Sequence, residues 1–164
     1  MGKADSPVPP EFLERIGRIT ANFAVLESVL QTFIGRLISS DHTLGQIISA
    51  ELSFRGLVAL LSSLYKYRVS DSARVAELDS VFKRVNAAEE KRNIVVHSLW
   101  MVSNTDDSPP KTIVFKGKMT AKISKGLRYR QEQVTIEELD SIAEEISNAA
   151  GDAQAIMLRD FPKR

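Results

Sequence analysis

The sequence predicts a mainly α protein: an antiparallel helical bundle of four to five helices, with a small β-hairpin inserted before the last helix. Three observations lead there. Long stretches carry apolar residues at alternating steps of three and four, the spacing of one helix face. Serine, threonine or aspartate stands just ahead of most of these stretches, where a helix start needs a capping oxygen. One segment, about 111–130, drops the helical period and shows short β-prone runs instead.

The elements follow in order. Residues 1–10, rich in proline and without periodicity, read as a flexible arm, and 11–164 as a single domain. Phe12, Ile16, Ile19, Phe23, Leu26, Leu30, Phe33 and Leu37 then mark one long helix ending near Ser39-Ser40. Asp41-His42-Thr43 offers caps for a short helix through Ile47 and Ile48. Ser53 caps a third, with Leu57, Leu60, Leu61 and Leu64 inward and Tyr65, Tyr67 and Arg68 as rim residues at its end. Asp71 or Ser72 opens the fourth, whose apolar face carries Val75, Leu78, Phe82, Val85 and Val96. Thr112–Phe115 and Met119–Ile123 flank Lys116-Gly117-Lys118 as a hairpin, with Leu127–Arg130 as its extension and Leu99–Val102 as a further short strand. Thr135 and Glu138 have capping-box spacing and start the last helix, striped by Leu139, Ile142, Ile146, Ala149, Ala153 and Ile156.

Composition excludes several function classes. Cysteine is absent, which removes disulfides, thiol nucleophiles and zinc–thiolate sites together. His42 and His97 are the two histidines, too few and too isolated for a transition-metal site, so neither metal nor cofactor is expected. Lys+Arg 22 against Asp+Glu 21 gives a net charge of +1, so any nucleic-acid contact must come from a local patch. No apolar run approaches the ~20 residues that span a bilayer, and residues 1–10 lack the apolar core of a signal peptide. The expected location is the cytoplasm.

One anomaly carries the functional reading. On a helical wheel, Arg92 falls inside the apolar stripe of the fourth helix, Glu89 lies about 60° away, and Asn93 and His97 lie about 100° and 140° away, along its edge. A charge on a buried face costs several kcal/mol unless compensated, typically at least ~3 kcal/mol when its partner is missing. Structural compensation would come from Glu89, three residues away, or from Glu27 across the bundle. Functional compensation would come from a bound phosphate, held by Arg92, oriented by Asn93, with His97 exchanging a proton. A single histidine serves both proton transfers poorly, which makes a second copy from a symmetric partner attractive.

Arg92-Asn93-Ile94-Val95-Val96-His97 resembles the RxxxxH motif of the HEPN superfamily in its RNxxxH form. Its setting agrees: the motif ends a late helix, after a long first helix reading Asn22-Phe-Ala-Val-Leu-Glu27-Ser-Val-Leu30. The resemblance covers the helical frame from Phe12 to Trp100 and the helix from Thr135. It implies an all-α homodimer with the two motifs facing each other. Many such proteins are metal-independent endoribonucleases, among them toxins of toxin–antitoxin pairs and defence effectors; others are non-catalytic binding or dimerisation modules. Carried over, Arg92 and His97 take the catalytic places and Asn93 the polar place after the arginine. A toxin subgroup neutralised by a nucleotidyltransferase partner has tyrosine two positions after the histidine; Leu99 stands there in this chain.

Around the hairpin, Lys111, Lys116, Lys118, Lys122, Lys125, Arg128 and Arg130 concentrate positive charge, with Tyr129 interleaved. Lys118, Lys122, Arg128, Tyr129 and Arg130 are candidate RNA contacts, by backbone charge and base stacking. The competing reading is a charged edge that prevents strand-to-strand aggregation. Trp100 is expected to anchor the end of the fourth helix.

Overall fold

A computed structural model describes residues 7–38, 42–107, 111–122 and 126–162, with backbone alone at residue 42 and through 118–122 and 126–130. Five helices and three strands follow in the order α1 (Pro10–Ile38), α2 (His42–Ser49), α3 (Phe54–Arg68), α4 (Ser72–Val96), β1 (Leu99–Asn104), β2 (Thr112–Lys122), β3 (Gly126–Val134) and α5 (Ile136–Asp160).

Local chemistry fixes most helix starts. Proline tolerates the first helical position because its missing N–H needs no partner there, and α1 begins at Pro10 with the Pro9 carbonyl receiving the Phe12 and Leu13 amides. Ser53 Oγ accepts the Gly56 amide at 3.2 Å, and Asp71 accepts those of Ala73 and Arg74. Thr135 and Glu138 bond reciprocally, side chain to backbone, at 3.2 and 3.0 Å, completing the expected capping box. Of the arm, residues 1–6 lie outside the described residues, while Val8 is buried rather than free.

The core runs the length of the bundle. Ile19, Phe23, Leu26, Leu30, Phe33, Ile34 and Leu37 of α1 meet Leu57, Leu61 and Tyr65 of α3, Leu78, Val81, Phe82 and Val85 of α4, and Leu139, Ile146 and Ile156 of α5. Cross-links give the directions. Arg18 pairs with Asp140 and Arg36 with Phe161, so α1 and α5 run the same way, as do α1 and α3 by the Phe23–Phe54 and Phe33–Tyr65 ring contacts. α4 runs against α5, with Arg159 on Glu77, Arg84 on Asp152 and Lys91 on Glu145. The segment with short α2 makes the return pass between α1 and α3, α4 makes the one between α3 and α5, and the sheet joins the neighbouring ends of antiparallel α4 and α5. α2 crosses α1 so closely that a β-carbon on Gly45 would lie 2.2 Å from Gly35 Cα. Among the described residues no helix is long and apolar enough to cross a membrane.

Two sequence expectations move. The sheet is three-stranded and antiparallel in the order β1-β2-β3, and Lys116-Gly117-Lys118 lies inside β2 instead of at a turn. Gly117 faces Leu99 on one side and Gln131 on the other, so this triplet is the middle of a central strand. β2 is described as far as Lys122 and β3 from Gly126, so Leu127–Arg130 belongs to β3, while Ile123, expected in the hairpin, lies outside the described residues. Tyr65, expected at a rim, is fully buried: its hydroxyl donates to Asp160 Oδ2 at 2.6 Å, while Tyr67 is 86% exposed. A tyrosine packs inside the core where its polar tip finds an acceptor.

Candidate functional site

α4 carries the candidate residues, and its register decides how each is presented. Leu78, Val81, Phe82, Val85, Ala88 and Val95 are its buried positions. Arg92 falls between Ala88 and Val95 on that same face, which agrees with the expected anomaly. Val96, expected in the stripe, is 36% exposed; Val95 takes the inward place. The wheel angle of Val95 from Arg92 is about 60° on the side away from His97, so the stripe is centred on Arg92 itself.

The compensation of Arg92 is neither of the expected carboxylates. Among the described residues no ion pair reaches it. Glu89 turns toward α3, with its carboxylate 4.0 Å from Arg55 Nε, and half-buried Glu27 does not pair with Arg92 across the bundle. Instead the Arg92 guanidinium carbon sits 4.8 Å from the centre of the Phe23 ring, a cation–π distance. Phe23 is backed in turn by Phe54, with ring centres 4.8 Å apart. Arg92 NH1 donates to Asn93 Oδ1 at 2.9 Å, and Nε is buried without an acceptor. An aromatic shelf and a neutral amide thus hold the group in place, with no counter-anion among the described residues.

His97 is the C-cap of α4, its amide donating to the Asn93 carbonyl at 3.1 Å, and its side chain is exposed. The chain turns at once into β1. Trp100, half-buried against the core, donates its indole N–H to the Val95 carbonyl at 3.0 Å and so pins the helix end, as expected. Ile94 and Leu99, 41% and 63% exposed, lie either side of His97. Arg92 and His97 therefore occupy one helix end but not one enclosed pocket within a single chain. The cleft between α1, α2 and α5 contains neither residue.

The basic segment divides. Lys116 pairs with Glu132 at 3.7 Å and is structural. The backbone register sets Lys118 opposite Arg130, Met119 opposite Tyr129 and Thr120 opposite Arg128, with Lys122 opposite Gly126 near the hairpin end. The side chains of Lys118, Lys122, Arg128, Tyr129 and Arg130 lie outside the described residues. His42 is likewise described by its backbone alone, at the start of α2.

One polar cluster escaped the sequence reading. Asp160, with its side chain 2% exposed, takes Tyr65 Oη, Arg74 at 3.3 Å and a two-point contact from Arg159, which also bonds Glu77. The Arg159 hydrogen bonds hold the Asp160 carboxyl below its ordinary value, and burial, helped by that carboxylate, pushes the Tyr65 hydroxyl up. Every member is satisfied, which marks the cluster as a clamp between α3, α4 and α5. Among the described residues no group of three histidine or carboxylate side chains could hold a metal ion. Comparison of the chain with protein-family models, curated proteins and solved structures finds no match, so the site is read from its own residues.

Proposed function

We propose that this chain is a small cytoplasmic HEPN-like homodimer that binds RNA between its subunits and cleaves it without metal, as a toxin or defence effector subject to an antitoxin or regulatory partner. The observation that supports this reading most is Arg92: a half-buried guanidinium with no carboxylate partner among the described residues, fixed by Phe23 and Asn93, five positions from an exposed histidine. Such a group is preorganised for an anion that comes from outside.

The chemistry follows from the residue types. His97 accepts the proton of a ribose 2′-hydroxyl, whose oxygen attacks the adjacent phosphorus. The P–O5′ bond breaks, leaving a 2′,3′-cyclic phosphate, and the departing 5′ oxygen takes a proton from the partner's His97. Arg92 offsets charge building on the phosphoryl oxygens, and Asn93 keeps the guanidinium oriented. A second copy also supplies the missing wall, for which the exposed Ile94 and Leu99 beside His97 provide apolar surface. The hairpin basic residues Lys118, Lys122, Arg128 and Arg130, with Tyr129, serve in this reading as backbone and base contacts.

The test is cleavage of labelled single-stranded RNA in EDTA by wild type, Arg92→Met and His97→Ala, alongside the mass in solution. Activity lost in both variants, from a dimeric wild type, supports the reading; an inactive wild type defeats catalysis. One observation favours a second reading, a non-catalytic RNA- or nucleotide-binding or dimerisation module: the cation–π contact makes Arg92 a packing residue as well. Binding without turnover would select it.

A further inference from the structure

A cleft of about 330 Å³ opens between α1, α2 and α5, on a face that includes neither Arg92 nor His97. Arg36 stands near the end of its α1 wall, Gln46 comes from α2 and Gln154 from α5, with Val29 and Met157 as apolar surface. Among the described residues no carboxylate lines it, and Arg36 is the one charged side chain there. That guanidinium is half-buried: NH1 donates to the Phe161 carbonyl at 2.9 Å, and Nε is buried without an acceptor. The carbonyl end of α5 offsets the charge in part.

Each feature selects a ligand property. The volume lies at the small end of the ~300–1,000 Å³ range of ligand sites, which excludes a polymer and favours a small metabolite. A guanidinium with no carboxylate partner among the described residues prefers an anionic head, and the N–H groups not spent on the Phe161 carbonyl suit a phosphate oxygen. Two primary amides on separate helices each offer donor and acceptor, the pattern that reads the edge of a heterocyclic base. Val29 and the polarisable Met157 sulfur suit the face of a flat ring. Val29 and Arg36 are about 10 Å apart along α1, enough to separate ring from head.

We propose that this cleft binds a nucleoside monophosphate, its phosphate on Arg36 and its base between Gln46 and Gln154. The site is independent of the RNA-cleaving reading and sits apart from the residues that support it.

Amide-resolved NMR of the full chain tests this, with AMP, GMP, CMP and UMP titrated separately and with the four matching nucleosides and inorganic phosphate as further arms. At least one nucleotide should shift amides of α1, α2 and α5 around the cleft saturably, with the corresponding nucleoside and phosphate each binding on the order of tenfold more weakly. Gln154→Leu, an exposed position that does not threaten folding, should weaken binding by a similar factor, while Arg92→Met leaves it unchanged. Four nucleotides without saturable shifts there at millimolar concentration would overturn the proposal. So would Gln154→Leu binding as wild type, phosphate alone binding as tightly, or shifts that map to the end of α4 and vanish in Arg92→Met.

Discussion

Replacing Arg92 by methionine separates a functional arginine from a structural one, because the contacts of the wild-type side chain can be weighed individually. Methionine keeps an unbranched apolar stem of similar reach, so the packing of the arginine methylenes over Phe23 largely survives. The substitution loses the cation–π contact, worth about 0.5–2 kcal/mol, and the Asn93 hydrogen bond, worth about 1 kcal/mol in a half-exposed setting. Against this it removes a buried N–H with no acceptor, which costs about 1–3 kcal/mol in the native protein. These nearly cancel, leaving a net effect within about 1 kcal/mol of zero. For a chain of 164 residues that is a shift of roughly 2–4 °C at most. The assay is thermal unfolding by circular dichroism, paired with RNA cleavage in EDTA. Unchanged melting with abolished cleavage is the expected result. A fall of about 8 °C or more would show Arg92 to be structural and refute the reasoning.

Other perturbations follow from the same geometry. His97→Ala alters an exposed cap, so stability should hold within about 0.5 kcal/mol while cleavage disappears; loss of folding in urea titration would contradict this. Gly45→Ala places a methyl 2.2 Å from Gly35 Cα and should cost at least about 2 kcal/mol or shift α2, read as a melting drop of several degrees. Tyr65→Phe strips a 2.6 Å hydrogen bond from a carboxylate that is nearly inaccessible and should cost about 1–3 kcal/mol, measured by urea unfolding. The pH dependence has two limbs. Because the folded Asp160 carboxyl is held low, its contribution is present above its ordinary value of 3.8 and is lost as pH falls through the lower folded value. Because the Tyr65 hydroxyl is pushed up, stability is full below its ordinary 10.0 and falls as pH rises above it. Asp160→Asn should flatten the acid limb in an unfolding series, and Tyr65→Phe the alkaline one.

Helix starts are legible in this sequence because caps act over three residues: Ser53, Asp71 and Thr135 each sit where the first amides need an acceptor. The α1 stripe is legible because every third or fourth residue is large and apolar. The end of α4 is harder. Ile94, Val95 and Val96 are consecutive and apolar, so the pattern alone does not say which faces in; the indole of Trp100, bonded to the Val95 carbonyl, helps fix that answer through a contact made after the helix ends. The turn misplaced at Lys116-Gly117-Lys118 has a similar cause. Lysine and glycine suit a turn locally, but pairing on both sides, to Leu99 and Gln131, keeps this triplet extended. Asp160 and Tyr65 are 95 residues apart, and nothing in either neighbourhood announces the other. Of the site, the anomaly of Arg92 is readable from the wheel; its resolution by Phe23 is not, because a phenylalanine in an apolar stripe looks the same whether it packs on leucine or under a guanidinium.

Three arginines bury an Nε without an acceptor among the described residues, Arg15, Arg36 and Arg92, and comparing them sharpens where an external anion belongs. Arg15 lies 3.4 Å from the Asp140 carboxylate and 3.0 Å from that of Glu14, so its charge is offset within the chain. Arg36 gives NH1 to the carbonyl that follows α5, where the helix end concentrates partial negative charge. Arg92 has a side-chain amide and the face of a ring, which stabilise a cation without neutralising it. Ranked by internal compensation, the order is Arg15, then Arg36, then Arg92. An anion brought from outside gains most where internal compensation is least, since desolvation of the guanidinium has already been met by folding. The motif arginine is therefore the position at which a phosphate does most electrostatic good, and the cleft arginine the next.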